Sequence, residues 1–509
     1  MTIKRASLRR MVGWCLACAI AVGWATAGAL GADAFPPATP ESQGVSSAAV
    51  RRLAEEVEGY VRDGTIVGGE LLVIKNRRTI LHEAYGLRDR EDGHPMEPGT
   101  IFNIRSMTKP LTGVAVQMLA DEGKLSLDDP VAKYLPGFDN DRSRAITIAH
   151  LLEHRSGLPL MRMDAHDDLA ARAEAIGRQG PQFGVGEKFW YSDLGSDTAA
   201  AVVEKVSGMT IDRFVAERIL KPLGMDDSFY LTQASAGGDD PRLARLATLY
   251  VGTPGKWTRF STPEGRVVYP YAWGSQSLYA TTADYARFLA LWMDGGLVGG
   301  DRLLSEEAIA RILTPTSPMK SLGSDGPYPC GFFGMKPHYG QMSMLYAAGQ
   351  NPARGDVRVF GHGGSDGTAA WAFPEQDLIV CYFTQSRGQP TPIRLETTIQ
   401  DALVMPEGGG EAPAEMQALL GSYRADFPPL NSEPFQVVYR CGKLAVDIPG
   451  QLVFELAEPD ATGRRQFVFT DALAVSFRKD DQGNVTTLIL HRGERTFELP
   501  RAKPTPASE

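Results

Sequence analysis

The run Phe102-Asn103-Ile104-Arg105-Ser106-Met107-Thr108-Lys109-Pro110-Leu111 constrains this chain most, because a strand end passes there straight into a helix that opens on a serine. Apolar side chains follow at Leu111, Val114, Ala115, Met118 and Leu119, the spacing of a helix with one buried face, and Gly123 supplies the stop. Side chains three apart on a helix lie about 5–6 Å from one another at Cβ, so Ser106 and Lys109 can share a hydrogen bond. A serine hydroxyl becomes a useful nucleophile once a base takes its proton. A lysine can do so if partly neutral, and burial and the positive end of a helix dipole both push Lys109 that way. Pro110 is close enough to the helix start to forfeit at most one backbone bond.

S-x-x-K also occurs from Ser317 to Lys320 and from Ser476 to Lys479. The first contains a proline and reads as loop, and the second lies in a β-rich tail. Ser106 alone stands at a strand-to-helix junction.

The 509-residue length exceeds a usual single domain and suggests one large domain plus a smaller one. Lys4, Arg5, Arg9 and Arg10 precede an uncharged run of 22 residues, Met11 to Ala32. We read residues 1–34 as a secretory signal peptide, cut after Ala27 or Ala34, which implies a secreted or periplasmic protein. The run is also long enough to span a bilayer, so an uncleaved anchor is the alternative. Cutting after Ala34 removes four positive charges and Asp33, taking the formal charge from -9 to -12, which argues against nucleic acid as a partner. Cys330, Cys381 and Cys441 remain in the mature chain. Three thiols make no disulfide framework; buried apolar cysteines are expected, although a Cys330–Cys381 bridge is permitted outside the cytoplasm.

Along the mature chain, Ser47 to Tyr60 carries a helical stripe, and Gly68 to Ile74 with Thr79 to Tyr85 reads as a hairpin. A short helix ending at Gly157 contains His150-Leu151-Leu152-Glu153-His154, which matches an H-x-x-E-H zinc spacing. No third ligand stands out, so these are expected to be surface or packing histidines, with no metal or cofactor. Gly186 to Asp193 leads into a helix through Val202, Val203 and Val206 that stops at Gly208. Tyr191, at the end of an aromatic run, suits a phenol held in a wall or a packed core tyrosine, and Asp193 could be an N-cap. Thr281 to Gly296 gives a further helix, and the stretch from about Gln233 to Pro270 reads as loop.

Phe360-Gly361-His362-Gly363-Gly364-Ser365-Asp366-Gly367 is followed by a hairpin over Ala369 to Thr384. Its Gly363-to-Gly367 segment fits a G-x-S-x-G elbow, but that elbow needs a helix after the serine and β structure follows here. Pro406 to Pro413 is a linker by composition, and seven short alternating runs between Phe435 and Leu499 suggest a small antiparallel barrel or sandwich. The division expected is residues 35–405, a linker over 406–415, and a C-terminal antiparallel β domain over 416–509.

Taken in order, the stretches around Ser106, Tyr191 and His362 resemble the serine β-lactamase and penicillin-binding-protein superfamily, in particular the class C β-lactamase-like group with its family VIII esterases and D-stereospecific aminopeptidases. The likeness spans roughly Pro40 to Gln385. It implies an α/β fold: a three-layer α/β/α catalytic domain with an antiparallel sheet and a helical subdomain. It also implies an acylated Ser106, Lys109 as its proton partner, Tyr191 as general base, and an oxyanion hole from the backbone N–H groups of Ser106 and Ser365. His362, Gly363 and Gly364 would line the cleft, and Asp193 stands where the family usually has asparagine. The lysine of the family's third motif is replaced by His362, mostly neutral at pH 7, and Asp193 cannot donate a hydrogen bond when ionised. Both departures favour a neutral small-molecule ester or amide over an anionic β-lactam. The charge of Asp193 should also raise the pKa of Lys109 if the two are close. The tail is similar to the lipocalin-like domains appended to some peptidases of this type. A carboxylesterase is the leading expectation. A D-amino-acid peptidase or weak β-lactamase on cell-wall-like peptides is the enzymatic alternative, and a catalytically silent protein binding peptidoglycan or another envelope component is the alternative from another class.

Overall fold

The computed structural model describes residues 34–161, 166–235, 239–261, 269–349, 351–405, 411–427, 434–448 and 451–502. Nearly all of the expected signal segment and residues 406–410 of the expected linker lie outside these.

A nine-stranded sheet forms the centre. Its strands are β1 (Gly68–Lys75), β2 (Arg78–Asp89), β3 (His94–Pro95), β4 (Ser317–Pro318), β5 (Lys336–Tyr339), β6 (Met344–Ala347), β7 (Val357–Gly364), β8 (Thr368–Phe373) and β9 (Leu378–Thr384). They lie in the order β4-β5-β6-β7-β8-β9-β1-β2-β3. The pairing of β9 with β1, from Gly69 opposite Thr384 to Lys75 opposite Leu378, joins the early hairpin to strands some 300 residues later. Both strands are apolar almost throughout because both faces of the sheet are covered. Leu71, Val73, Val380 and Tyr382 enter one core, while Leu72, Ile74, Cys381 and Phe383 enter the other.

Helices α1 (Ser47–Arg62) and α5 (Thr391–Ile399) cover the first face. On the second lie α2 (Lys109–Asp121), α3 (Asp193–Ser207) and α4 (Thr282–Met293), which share the larger core. Serine and threonine caps start three of these helices: Ser46, Ser192 and Thr281 each accept a backbone N–H with the side-chain oxygen.

Three local expectations are corrected. Residues 233–270 are not all loop, since Leu249–Thr253 and Lys256–Ser261 pair as a hairpin around Pro254-Gly255. Ser317-Pro318 is an edge strand rather than loop, a position where proline costs no ladder bond. Ser106 does not open the α-helix; it sits in a separate tight 3₁₀ turn, Arg105–Thr108, just before α2.

The tail carries the seven expected strands and one more. Strands β10 (Gly421–Arg424), β11 (Pro434–Arg440), β12 (Lys443–Asp447) and β13 (Val453–Glu455) make one antiparallel sheet. A second consists of β14 (Arg465–Phe467), β15 (Thr470–Lys479), β16 (Val485–Arg492) and β17 (Arg495–Pro500). Of the barrel or sandwich expected, the described residues form these two antiparallel sheets, which touch through single bridges at Tyr423–Arg501 and Leu456–Phe467 around an apolar core of their own. They abut the larger body through Arg394 and Asp447 (2.9 Å), Arg440 and Asp401 (3.3 Å), and an apolar cluster of Phe333, Cys441, Ala445 and Val453. Cys330, Cys381 and Cys441 are free thiols.

Candidate active site

The turn that carries Ser106 is held under backbone strain. Arg105 has a φ of 46°, a left-handed conformation that costs a non-glycine residue about 1–3 kcal/mol unless its surroundings fix it. Its guanidinium Nε donates to Asp366 Oδ2 at 2.6 Å and Nη1 to the Tyr269 hydroxyl at 2.6 Å, while its backbone N–H donates to Asn103 Oδ1 at 3.2 Å. Asp366, almost fully buried, also accepts from Arg387 at 3.0 Å. Arg105 therefore ties the Ser106 turn to the segment that follows β7. That strand comes so close that a Cβ on Gly364 would overlap the Ile104 carbonyl and the Thr368 hydroxyl.

Lys109, the first residue of α2, has no solvent exposure. Its Nζ donates to Ser106 Oγ at 3.1 Å, to Asp193 Oδ1 at 2.6 Å and to the Ser275 carbonyl at 3.1 Å. Three acceptors match the three donors of a charged ammonium. Burial works against that charge, but Asp193 and Tyr191 outweigh it and hold the pKa above the ordinary lysine value. The expectation that burial and the helix dipole leave Lys109 partly neutral is thus reversed, and the expected effect of Asp193 prevails. Asp193 is not the N-cap of α3. Ser192 takes that role, accepting from Gly195 N at 2.9 Å, and the Asp193 carboxylate is left for Lys109.

Two further buried charges orient the Ser275 peptide. Its N–H donates to Asp197 Oδ1 at 3.0 Å, and Asp197 is paired with Arg172 at 2.9 Å, which anchors the residue whose carbonyl accepts from Lys109.

Tyr191 is buried, with Lys109 Nζ 4.7 Å from its ring centre. Burial raises its pKa; the Lys109 charge opposes this, Asp193 adds to it, and hydrogen bonds to Ser106 and Lys109 pull it back without cancelling the rise. The phenol is protonated in the resting protein.

Behind Tyr191 runs a polar chain whose direction follows from its ends. Ser192 N–H donates to His154 Nδ1 (3.3 Å), so His154 Nε2 carries the hydrogen and donates to the Tyr339 hydroxyl (3.2 Å). Tyr339 in turn donates to His362 Nε2 (3.1 Å), and His362 Nδ1–H donates to the Gly363 carbonyl (2.8 Å). Both imidazoles are thereby fixed as neutral tautomers. Burial, followed by the nearby Lys109 charge, pushes His362 down to about 3 and His154 well below its ordinary value. His150 accepts from Thr147 N at 3.2 Å in a helix cap. The histidines of the zinc-like spacing thus serve packing and capping.

Ser106, Tyr191, His362, Gly363, Gly364 and Ser365 line one cleft of about 390 Å³. Ser365 is exposed in the turn between β7 and β8, strand on both sides, so it lies on no nucleophile elbow. The sequence reading brought Ser106, Lys109, Tyr191, Asp193 and His362 to one place. It missed Arg105, Asp366, Ser275, Asp197 and Tyr339 and took His154 only as a surface or packing histidine; Arg105, Asp366 and His154 all lay inside motifs already singled out.

The model of the β-lactamase family matches residues 53–403. The chain belongs to the β-lactamase family. A Salmonella schwarzengrund protein provisionally named a D-alanyl-D-alanine carboxypeptidase is 27% identical over 381 residues, covering 67% of this chain and 84% of that one. Among solved structures, EstCE1, described as a hydrolase with promiscuous acyltransferase activity, is similar with a TM-score of 0.57 and 20% identity, over 70% of this chain and 99% of its own. The octameric penicillin-binding-protein homologue from Pyrococcus abyssi is similar with a TM-score of 0.58 and 22% identity, over 88% of this chain and 99% of its own. At such identities the structural likeness concerns the fold. As a β-lactamase-family serine hydrolase, this protein combines the S-x-x-K turn with an aspartate on the lysine and a neutral histidine on the facing strand.

Proposed function

We propose that this protein is a carboxylic ester hydrolase that works through an acyl-enzyme on Ser106. The carrying observation is the contact of Ser106 Oγ with Lys109 Nζ at 3.1 Å, at the floor of an open cleft. In this reading the reactive form is the one in which Tyr191 has first released its phenol proton to solvent; Ser106 Oγ then attacks the ester carbonyl and its proton passes to the Tyr191 phenolate. The Lys109 ammonium stabilises the phenolate form that makes Tyr191 a base, and Tyr191 returns the proton to the departing alkoxide. A water then repeats the sequence on the acyl-enzyme and releases the acid. The backbone N–H groups of Ser106 and Ser365 take the developing oxyanion. The neutral state of His362 supports an uncharged substrate, since the one titratable side chain that β7 gives to the cleft carries no charge.

One observation favours the second reading, a peptidase of D-amino-acid peptides. Lys320 lines the cleft as the one charged side chain there among the described residues, and it could hold a peptide carboxylate. The same proposal takes residues 1–34 as a secretory signal and the strands after residue 415 as a separate domain.

Turnover of p-nitrophenyl acetate by the mature protein tests the proposal, beside Ser106→Ala, Ser365→Ala and Tyr191→Phe. We expect Ser106→Ala to abolish turnover and to lose labelling by a fluorophosphonate. Tyr191→Phe should lose roughly a hundredfold. Ser365→Ala keeps its backbone N–H and should stay active. Hydrolysis of a D-alanyl-D-alanine peptide without ester turnover would select the second reading, and absence of any adduct on folded protein would favour a silent binding protein.

A further inference from the structure

A second cavity, about 230 Å³ in volume, lies between the larger body and the C-terminal sheets. Met319, Lys320 and Tyr328 line both it and the cleft that holds Ser106, so the two share a wall. Its far side comes from the tail: Leu452, Phe454, Val468 and Phe469. The larger body adds Phe332 and Met335. Three charged side chains also line it, Lys320 on the shared wall, Glu455 and Lys336. Glu455 is engaged by the Gly334 N–H at 2.8 Å, and Lys336 is exposed.

A second observation points to an apolar occupant. Among the described residues six large apolar side chains are left open to water, and two of them line these cavities: Leu322, 54% exposed, in the cleft, and Val468, 39% exposed, in the second cavity. Apolar side chains at the lining of two adjoining cavities gain most from a ligand that covers both. The shared residues Met319, Lys320 and Tyr328 set the cavity beside the cleft that holds Ser106, within reach of one elongated ligand.

We propose that the C-terminal sheets complete the substrate site: this cavity takes the aliphatic or aromatic portion of an ester whose carbonyl lies at Ser106. The tail is then a specificity element, and substrates with a long apolar group on one side of the scissile bond are preferred over short ones. The proposal rests on the ester-hydrolase reading for its reaction, though not for its binding surface.

The test uses the full mature chain with Val468→Asp and Val468→Trp, which charge or fill the cavity at a position exposed enough to leave folding intact. Two preference ratios of kcat/KM are measured: p-nitrophenyl octanoate over p-nitrophenyl acetate, and octyl acetate over ethyl acetate. At least one ratio is expected to exceed ten in the unaltered protein and to fall tenfold or more in both variants. Ratios that neither variant changes would overturn the proposal. Calorimetric binding of octanamide to Ser106→Ala, with and without Val468→Asp, separates this from failure of the reaction reading. Affinity lost at least tenfold on adding Val468→Asp supports the cavity even if no ester is hydrolysed, and equal affinity, or none in either protein, overturns it.

Discussion

The turn at Ser106 and the C-terminal sheets are stabilised in opposite ways. Around Ser106 the fold buries charge: Lys109 with Asp193, Arg105 with Asp366 and Arg172 with Asp197, each with little or no exposure. In the tail the core is a ladder of apolar side chains such as Leu444, Val475, Leu488 and Leu499, almost without exposure, while ion pairs such as Arg478–Glu498 stay in water. Buried pairs add little net stability beside apolar residues of equal volume, but breaking one leaves a charge stranded. The lesson is that the region around Ser106 is ordered by electrostatic partners that fix geometry, whereas the tail is ordered by area removed from water.

Lys109→Ala should break the comparison most visibly. It removes the ammonium that orients Ser106 and strands the Asp193 carboxylate, so ester turnover should fall by a hundredfold or more. Urea unfolding should show a loss of about 3–5 kcal/mol. A variant that lost activity but kept full stability would mean that Asp193 is satisfied without Lys109.

Leu488→Ala sets the same measurement on the apolar side. Leu488 has no exposure, and its truncation should cost about 2–5 kcal/mol in unfolding of the tail. The catalytic region should keep labelling by a fluorophosphonate. Parallel loss of labelling would show that the two regions unfold as one.

The smallest and sharpest change is Asp193→Asn. The Asp193 charge raises both Lys109 and Tyr191, so its removal should lower both pKa values. The base form of the pair then becomes available at lower pH. The rising limb of the kcat/KM profile should move toward lower pH relative to the unaltered protein, and a limb that stays in place would exclude both groups as its origin.

Much of this was legible beforehand for physical reasons. Helical spacing after Lys109 and strand alternation after residue 434 report burial directly, so α2 and seven strands of the tail could be placed. The hairpin over residues 249–261 escaped because Gly252 and exposed positions interrupt its alternation, although Pro254-Gly255 marked its tip. Strand β10 was hidden beside the linker because it has only four residues and one buried side chain, Tyr423.

By itself the sequence determined most element types, the place of the Ser106–Lys109 motif at a strand-to-helix junction and the identities of Tyr191 and His362 as cleft candidates, since each rests on local spacing or on a motif read in order. The protonation states were decided only by tertiary structure. Lys109 is charged because α3 brings Asp193, 84 positions away, to 2.6 Å, and His362 is neutral because Tyr339 and the Gly363 carbonyl fix its tautomer in a buried site. Such outcomes depend on distance and solvent exclusion, both set by packing between segments far apart in the chain.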